Sequence, residues 1–280
     1  MAASSINKKD HWSSEAYSSA AGFVPKLTTT VVSYLDPQAN DTILDIGCGD
    51  GELTAQIAKS AGRVLGVDAS KSFISSAKEK HGALSNCSFI LNDSTQLQSC
   101  PEALTGKWDK AFSNAAMHWI LREPSTRAAF FENVHKALKP GGKFVFEMGG
   151  KGNVAEIHTA ATAALLHAGV PLERAREASP WFFPSTTWMS AALEAAGFEV
   201  EKCETEYRPS LLTAEKKDGS GGITGWARLM CAQFLEAAPE EKQEQVLKEI
   251  CDVIETVITR EEDGSRYLGY VRLRAVAKKS

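Results

Sequence analysis

Between residues 42 and 148, short apolar runs alternate with segments that are apolar on one side only. Ile43–Ile46, Arg63–Asp68, Ser88–Ser94, Trp108–Asn114 and Lys143–Met148 predict buried strands. Glu52–Lys59, a segment starting near Ser70, and Thr126–Leu138 read as helices between them. Lys139-Pro140-Gly141-Gly142 is a turn that ends the last of these helices. Strand alternating with helix over short connections implies a parallel sheet buried on both faces, the doubly wound α/β class. Ahead of it, Leu27–Leu35 reads as a helix ending at Asp36-Pro37.

The pattern changes after Gly149-Gly150. Val154–Ala168 is Ala-rich and helical, while Pro180-Trp181-Phe182-Phe183-Pro184 is an aromatic, non-helical insert. Trp188–Ala196 predicts a helix closed by Gly197, and Phe198–Tyr207 alternates enough for a strand. Lys216–Gly222 is a loop, a helix begins near Trp226, and another starts at Pro239 with acids in its first turn. Leu247, Ile250, Ile254 and Val257 give that helix one apolar face. Tyr267–Ala277 is a last strand, expected antiparallel to Phe198–Tyr207.

The chemistry centres on the join between the first strand and its helix, Asp45-Ile46-Gly47-Cys48-Gly49-Asp50-Gly51. Glycine takes φ > 0 and has no Cβ to hold a ligand off the backbone, and the helix start beyond it presents free N–H groups. A dinucleotide fingerprint would need glycine at position 52, which is Glu52, and no Lys-Ser/Thr pair follows to make a P-loop. Asp45 at the strand end repels phosphate and suits a cationic amino group. Asp68 closes the second strand near the spacing of an acid that accepts from ribose hydroxyls, with capping of the next helix as its alternative role. Asp93 closes the third, where it either meets a ligand or caps a turn.

Composition narrows the class further. A net charge of −4 supplies no basic field for nucleic acid. The six cysteines have no C-x-x-C spacing, so neither a zinc site nor a disulfide framework is expected. Met1–Ser5 has no signal-peptide pattern and no run approaches a membrane span, which points to a cytoplasmic protein acting on a small molecule, as a monomer or homodimer.

The glycine stretch resembles motif I of class I S-adenosylmethionine methyltransferases. Asp68, Asp93, the Asn114 segment and Leu138–Gly142 follow in that family's order. The finer resemblance is to the trans-aconitate methyltransferase-like branch, through Ser113–Trp119 and Ala195-Ala196-Gly197-Phe198. The sequence is also similar to fungal natural-product methyltransferases, including those that S-methylate gliotoxin-type dithiols. The resemblance implies a seven-stranded, mostly parallel sheet with one reversed strand and helical lid insertions. It divides the chain into an N-terminal cover (1–40), a cofactor core (41–150), a lid (151–197 and 208–266) and closing strands (198–207 and 267–280).

S-adenosylmethionine is the implied cofactor. Asp45, Gly47, Cys48 and Gly49 would form its floor, with Tyr17 touching it from the leader. Asp68 and Ala69 would meet the ribose, Asp93 and Ser94 the adenine, and Asn114 completes the set. His118 follows the fourth strand where the methyl acceptor belongs, as a base or as a pocket residue. Trp119, Met148, Trp181, Phe182, Trp188 and Trp226 suggest an apolar, ring-sized acceptor pocket, with Phe183 and Met230 beside them. Lid packing is their alternative role. A polycarboxylate would want grouped arginines, and no motif groups Arg174, Arg176, Arg208 and Arg228. The expected acceptor is therefore a thiol of a natural product, with O-methylation of a small polycarboxylate such as trans-aconitate, or a non-catalytic cofactor-binding module, as alternatives.

Overall fold

The structure, a computed structural model, describes residues 28–280; Tyr17 lies outside the described residues. Seven strands form one sheet: β1 (Thr42–Ile46), β2 (Arg63–Asp68), β3 (Cys87–Leu91), β4 (Trp108–Asn114), β5 (Leu138–Gly149), β6 (Phe198–Leu211) and β7 (Tyr267–Lys279). Their order is β3-β2-β1-β4-β5-β7-β6, and β7 runs antiparallel to both of its neighbours. The helices are α1 (Thr29–Leu35), α2 (Glu52–Ala58), α3 (Lys71–His81), α4 (Met117–Ile120), α5 (Arg127–Ala137) and α6 (Ala155–His167). They continue as α7 (Leu172–Glu177), α8 (Thr186–Ala195), α9 (Gly222–Met230), α10 (Ala232–Ala237) and α11 (Gln243–Ile258).

Successive side chains of a strand point to opposite faces, and here both sets are apolar. Ile43, Val64, Phe89, Phe112, Val145 and Val276 pack under α1, α2 and α3. Leu44, Leu65, Ala111, Phe144, Phe146 and Ala275 pack on the other face under α5 and α8. That placement corrects part of the expected lid. Met189 and Leu193, one helical turn apart on α8, are fully buried in the sheet core, so residues 186–197 cover the sheet. The stripe on α11 also shifts by one residue. Ile250, Ile254 and Ile258 keep the four-residue step and are buried, leaving Val257 73% exposed.

A third apolar cluster lies beyond the sheet, gathered from α6, α7, α9, α10, α11, Trp181 and the start of β7. Its attachment is a ribbon. β5 pairs with β7 only from Lys143↔Lys278 to Gly149↔Arg272, whereas β6 and β7 stay paired out to Leu211↔Tyr267. Pro209 is tolerated in that extension because β6 is the sheet's edge and needs no donor on its open side. Among the described residues, no helix is long and apolar enough to cross a membrane.

Sheet and ribbon are joined by charge. Glu147, 1% exposed on β5, accepts from Arg272 Nε (3.0 Å), Arg274 Nε (2.6 Å) and Arg208 Nη2 (3.1 Å). Burial alone would raise its carboxyl, but the three guanidiniums outweigh that and hold it below the usual carboxylate range. The folded value lies below the unfolded one, so the stabilisation is present above pH ~4.3 and is lost as pH falls through the folded value. Glu147→Ala would leave buried Arg272 without its carboxylate, take the Nε partner of Arg274, which keeps Glu206, and release the part-buried Arg208. Urea unfolding at pH 7 should show a loss of about 3–5 kcal/mol, shrinking as the comparison is repeated at lower pH.

Candidate active site

In an open α/β sheet, ligands bind at the carboxyl ends of strands where the order of connection reverses. Here that point is the gap between β1 and β4, neighbours that lead to opposite sides. The loop after β1 is tied to β2: Val67 O accepts from the amides of Gly47 (2.8 Å) and Cys48 (3.1 Å). Gly47 has φ 77°, and a Cβ there would fall 2.1 Å from that of Ala116, so the loops after β1 and β4 touch only because it is glycine. Gly49 has φ 56° and nothing within 4 Å of an added Cβ, so its backbone borders open space.

Three carboxylates surround that loop in different states. Asp68 clamps it, accepting from Gly49 N (2.9 Å) and Ser70 N (2.8 Å). Capping of α3 falls instead to Ser70, whose hydroxyl accepts from Phe73 N. Asp93 is exposed at the end of β3 and caps the following 3-10 segment, Ser94–Ser99, through Thr95 N and Oγ1. Asp45 is buried and accepts from Thr54 Oγ1 at 2.6 Å. Burial drives its carboxyl up to about 7, with Thr54 opposing and Asp68 adding to the rise.

Two amides at the strand ends have oxygens with no hydrogen-bond donor among the described residues: Asn114 Oδ1 on β4 and Asn92 Oδ1 after β3. Buried polar atoms without partners cost stability, so these two oxygens could take a ligand's donors. Glycine backbone, carboxylates and orphan carbonyls together fit a cofactor with hydroxyls, amino groups and a cationic centre. Sequence reading missed Asn92, whose signal was only its position beside Asp93.

Beyond Asn114, Ala115 has φ 56°, held by its amide's bond to Glu147 O (2.8 Å), and the chain turns into α4. There a cavity of about 50 Å³ opens, lined by Ala115, His118, Trp119, Asn153, Val154, Trp181, Phe183, Trp226, Met230, Tyr270 and Arg272. Val154, at φ 42°, is the second lining residue in the left-handed region, where a β-branched side chain is strained. Trp181 is the hub of the aromatic wall, 5.8 Å from Trp119, 5.6 Å from Phe183 and 6.3 Å from Trp226 between ring centres. Trp226 Nε1 donates to Tyr270 Oη at 2.9 Å.

The sequence-predicted pocket is thus split. Trp119, Trp181 and Trp226 line the cavity; Met148, Phe182 and Trp188 do not. Met148 is fully buried in the sheet core, because it falls on the α5/α8 face of β5. Phe182 and Trp188 pack edge to face at 4.7 Å, and the Arg127 guanidinium lies 3.5 Å from the Phe182 ring centre. Alternation about Pro180–Pro184 sends Trp181 and Phe183 one way and Phe182 the other. Tyr270 and Arg272 went unread, although Tyr270-Val271-Arg272-Leu273-Arg274 puts polar residues on one face of an otherwise apolar strand.

His118 is 8% exposed, and its Nδ1 accepts from Gly149 N at 3.4 Å. Burial, reinforced by the Arg272 charge, pushes its pKa down to about 3, so the ring is neutral at physiological pH. Arg272 is 3% exposed; Nε is committed to Glu147, while Nη2 has no acceptor among the described residues. Arg208, one of the arginines that no motif grouped, joins Arg272 and Arg274 on Glu147, whereas Arg228 pairs with Glu244 on the lid surface.

Comparison with known proteins agrees with this geometry. Residues 43–142 match the family described as methyltransferase domain. The uncharacterized methyltransferase C70.08c of Schizosaccharomyces pombe is 35% identical over 97% of this chain and 99% of its own length. A trans-aconitate 2-methyltransferase of Azoarcus is 27% identical over 84% of this chain and 86% of its own. The fold is shared with Haemonchus contortus phospholethanolamine N-methyltransferase 2, solved with phosphomonomethylethanolamine and S-adenosylhomocysteine. That match has a TM-score of 0.56 at 17% identity, covering 95% of this chain and 56% of that one. With its glycine loop, acidic strand ends and near full-length relative, the chain belongs to the class I S-adenosylmethionine-dependent methyltransferases.

Proposed function

We propose that this methyltransferase acts on a carboxylate of a small acceptor with an apolar or planar body, giving a methyl ester. The observation that carries this reading is Arg272, a buried guanidinium on the cavity wall whose Nη2 has no acceptor among the described residues. Leaving such a donor unpaired is costly, and an anionic oxygen is the partner that relieves it. Among the described residues, no carboxylate lines the cavity, which weighs against an amine acceptor. The likeness to a trans-aconitate 2-methyltransferase supports the same class. A natural-product thiol is the second reading, favoured by the tryptophan-rich wall, since a thiol of pKa ~8.5 also needs little help to ionise.

Bound S-adenosylmethionine supplies a methyl group activated on a cationic sulfur. Asp45, Asp68, Asp93 and Asn114 would hold it, through its amino group, ribose and adenine. Arg272 and the aromatic wall orient the acceptor so that one oxygen lines up with the methyl–sulfur axis, and that alignment provides much of the acceleration. A carboxylate arrives already ionised at neutral pH, so the chain needs no base. The lid helices exclude water from the transfer.

Labelled methyl from S-adenosylmethionine, offered with trans-aconitate, other di- and tricarboxylates, phenols and dithiols, should appear in a base-labile ester of a carboxylate. Label in dithiols alone would transfer the assignment to the thiol reading. Arg272→Met should lower kcat/KM for the carboxylate roughly 10- to 100-fold, the worth of a charge-assisted hydrogen bond, while cofactor affinity stays within error.

Asp45 adds a pH signature. Its folded value, raised to about 7, makes the cofactor-free protein lose stability from this group as pH climbs from ~4 through 7. A cationic amino group beside it favours the ionised form, so calorimetric affinity for S-adenosylmethionine should strengthen from pH 6 to pH 8. Asp45→Asn should bind more weakly and lose that slope.

A further inference from the structure

His118 is the one imidazole on the cavity wall, and its surroundings fix which nitrogen carries the proton. Nδ1 faces the amide of Gly149, which can only donate, so Nδ1 is the accepting nitrogen and the proton sits on Nε2. The ring is held at 5.6 Å from Trp119 and 5.7 Å from Phe183, and Nε2 has no hydrogen-bond partner among the described residues. Of the residues lining the cavity, the other titratable ones are Arg272 and Tyr270, both from β7. Neither stabilises a second positive charge. A ring already short of water and facing a guanidinium resists protonation, in agreement with the direction of its pKa.

We infer that His118 enters methyl transfer as a hydrogen-bond donor: Nε2–H holds an oxygen of the acceptor, and the ring neither takes nor releases a proton. This rests on reading the cavity as the acceptor site. Its consequence is a wall whose charged and ring polar groups, Arg272 and His118, present N–H. A carboxylate has two oxygens, so the one these donors hold need not be the one that attacks. The new carbon–oxygen bond forms from the free oxygen as the methyl–sulfur bond breaks, its electron pair staying on sulfur. No proton moves. His118 is then a catalytic residue by orientation, a role that a side chain with an N–H at the same point can take over.

The test has two arms, both on the full chain. In the first, protein carrying ¹⁵N-labelled histidine is followed by two-bond ¹H–¹⁵N spectra from pH 5.5 to pH 8.5, with His118→Gln identifying the signal. The expected result is an Nε2–H tautomer that does not titrate; an Nδ1–H tautomer, or protonation within that range, overturns the inference. This arm uses no acceptor, so it stands or falls apart from the carboxylate reading. In the second, single-turnover transfer to trans-aconitate is compared in His118→Gln, whose amide reaches the Nε2 position, and in His118→Ala. Gln should stay within about threefold of the parent while Ala falls roughly 10- to 100-fold, both binding S-adenosylmethionine normally. Equal losses in the two variants would overturn the donor role. Where the parent methylates another carboxylate of the panel, that acid replaces trans-aconitate in this comparison; label in no carboxylate overturns the carboxylate reading and the donor role with it, while the spectra test the tautomer independently.

Discussion

Glu147 is the constraint on which the two halves of the molecule depend. It is an ionised group inside the sheet, set between Asn114 and Arg274 on the flanking strands, and its three guanidinium partners make that burial tolerable. Arg208 and Arg274 stitch β6 and β7 to β5, while Arg272 reaches past the end of β5 to the cavity. The same residue's carbonyl accepts from Ala115 and so steadies the chain leaving β4 in its left-handed turn. One side chain and its own backbone thus tie the sheet, the ribbon and the aromatic cavity into a single arrangement.

The glycine-loop side and the cavity side were unequally legible in the sequence. From residue 42 to 148 the central strands β1, β2 and β4 are largely buried on both faces and each helix is local, so composition and spacing carry the fold. The carboxylates at the ends of β1, β2 and β3 sit at fixed distances from a glycine run, and their positions needed no tertiary information. Their states did: nothing in the sequence says that Asp45 is buried against Thr54 while Asp93 is exposed. α7 and α10 escaped because each is only six residues long and has little periodicity to read.

The aromatic cavity draws on five separated stretches, near residues 115, 153, 182, 228 and 271, and no local pattern joins them. Residue type was a fair guide to aromatic packing and a poor one to which aromatics face the cavity. Trp181 and Trp188 are the same residue seven positions apart, yet one faces the lid cluster and the other packs beside the sheet core. Arg272 reads as a charged residue in a terminal strand until Glu147 is found hydrogen-bonded to it. The preference for a thiol over a carboxylate followed from arginines that seemed ungrouped. Folding groups one of those four, Arg208, with Arg272 and Arg274 of the last strand.

The ribbon has a consequence for how such proteins diversify. Leu211 and Tyr267 are paired across β6 and β7, so the segment between them leaves and re-enters the sheet at points about 5 Å apart. A stretch whose two ends nearly meet can lengthen, shorten or be exchanged without displacing a strand, as in domain insertion. The glycine loop and its carboxylates lie at the far side of the sheet order, beyond β4, and have no share in that junction. Changes confined to residues 212–266 therefore alter the part of the cavity wall that carries Trp226 and Met230 and leave the glycine-loop half as it was.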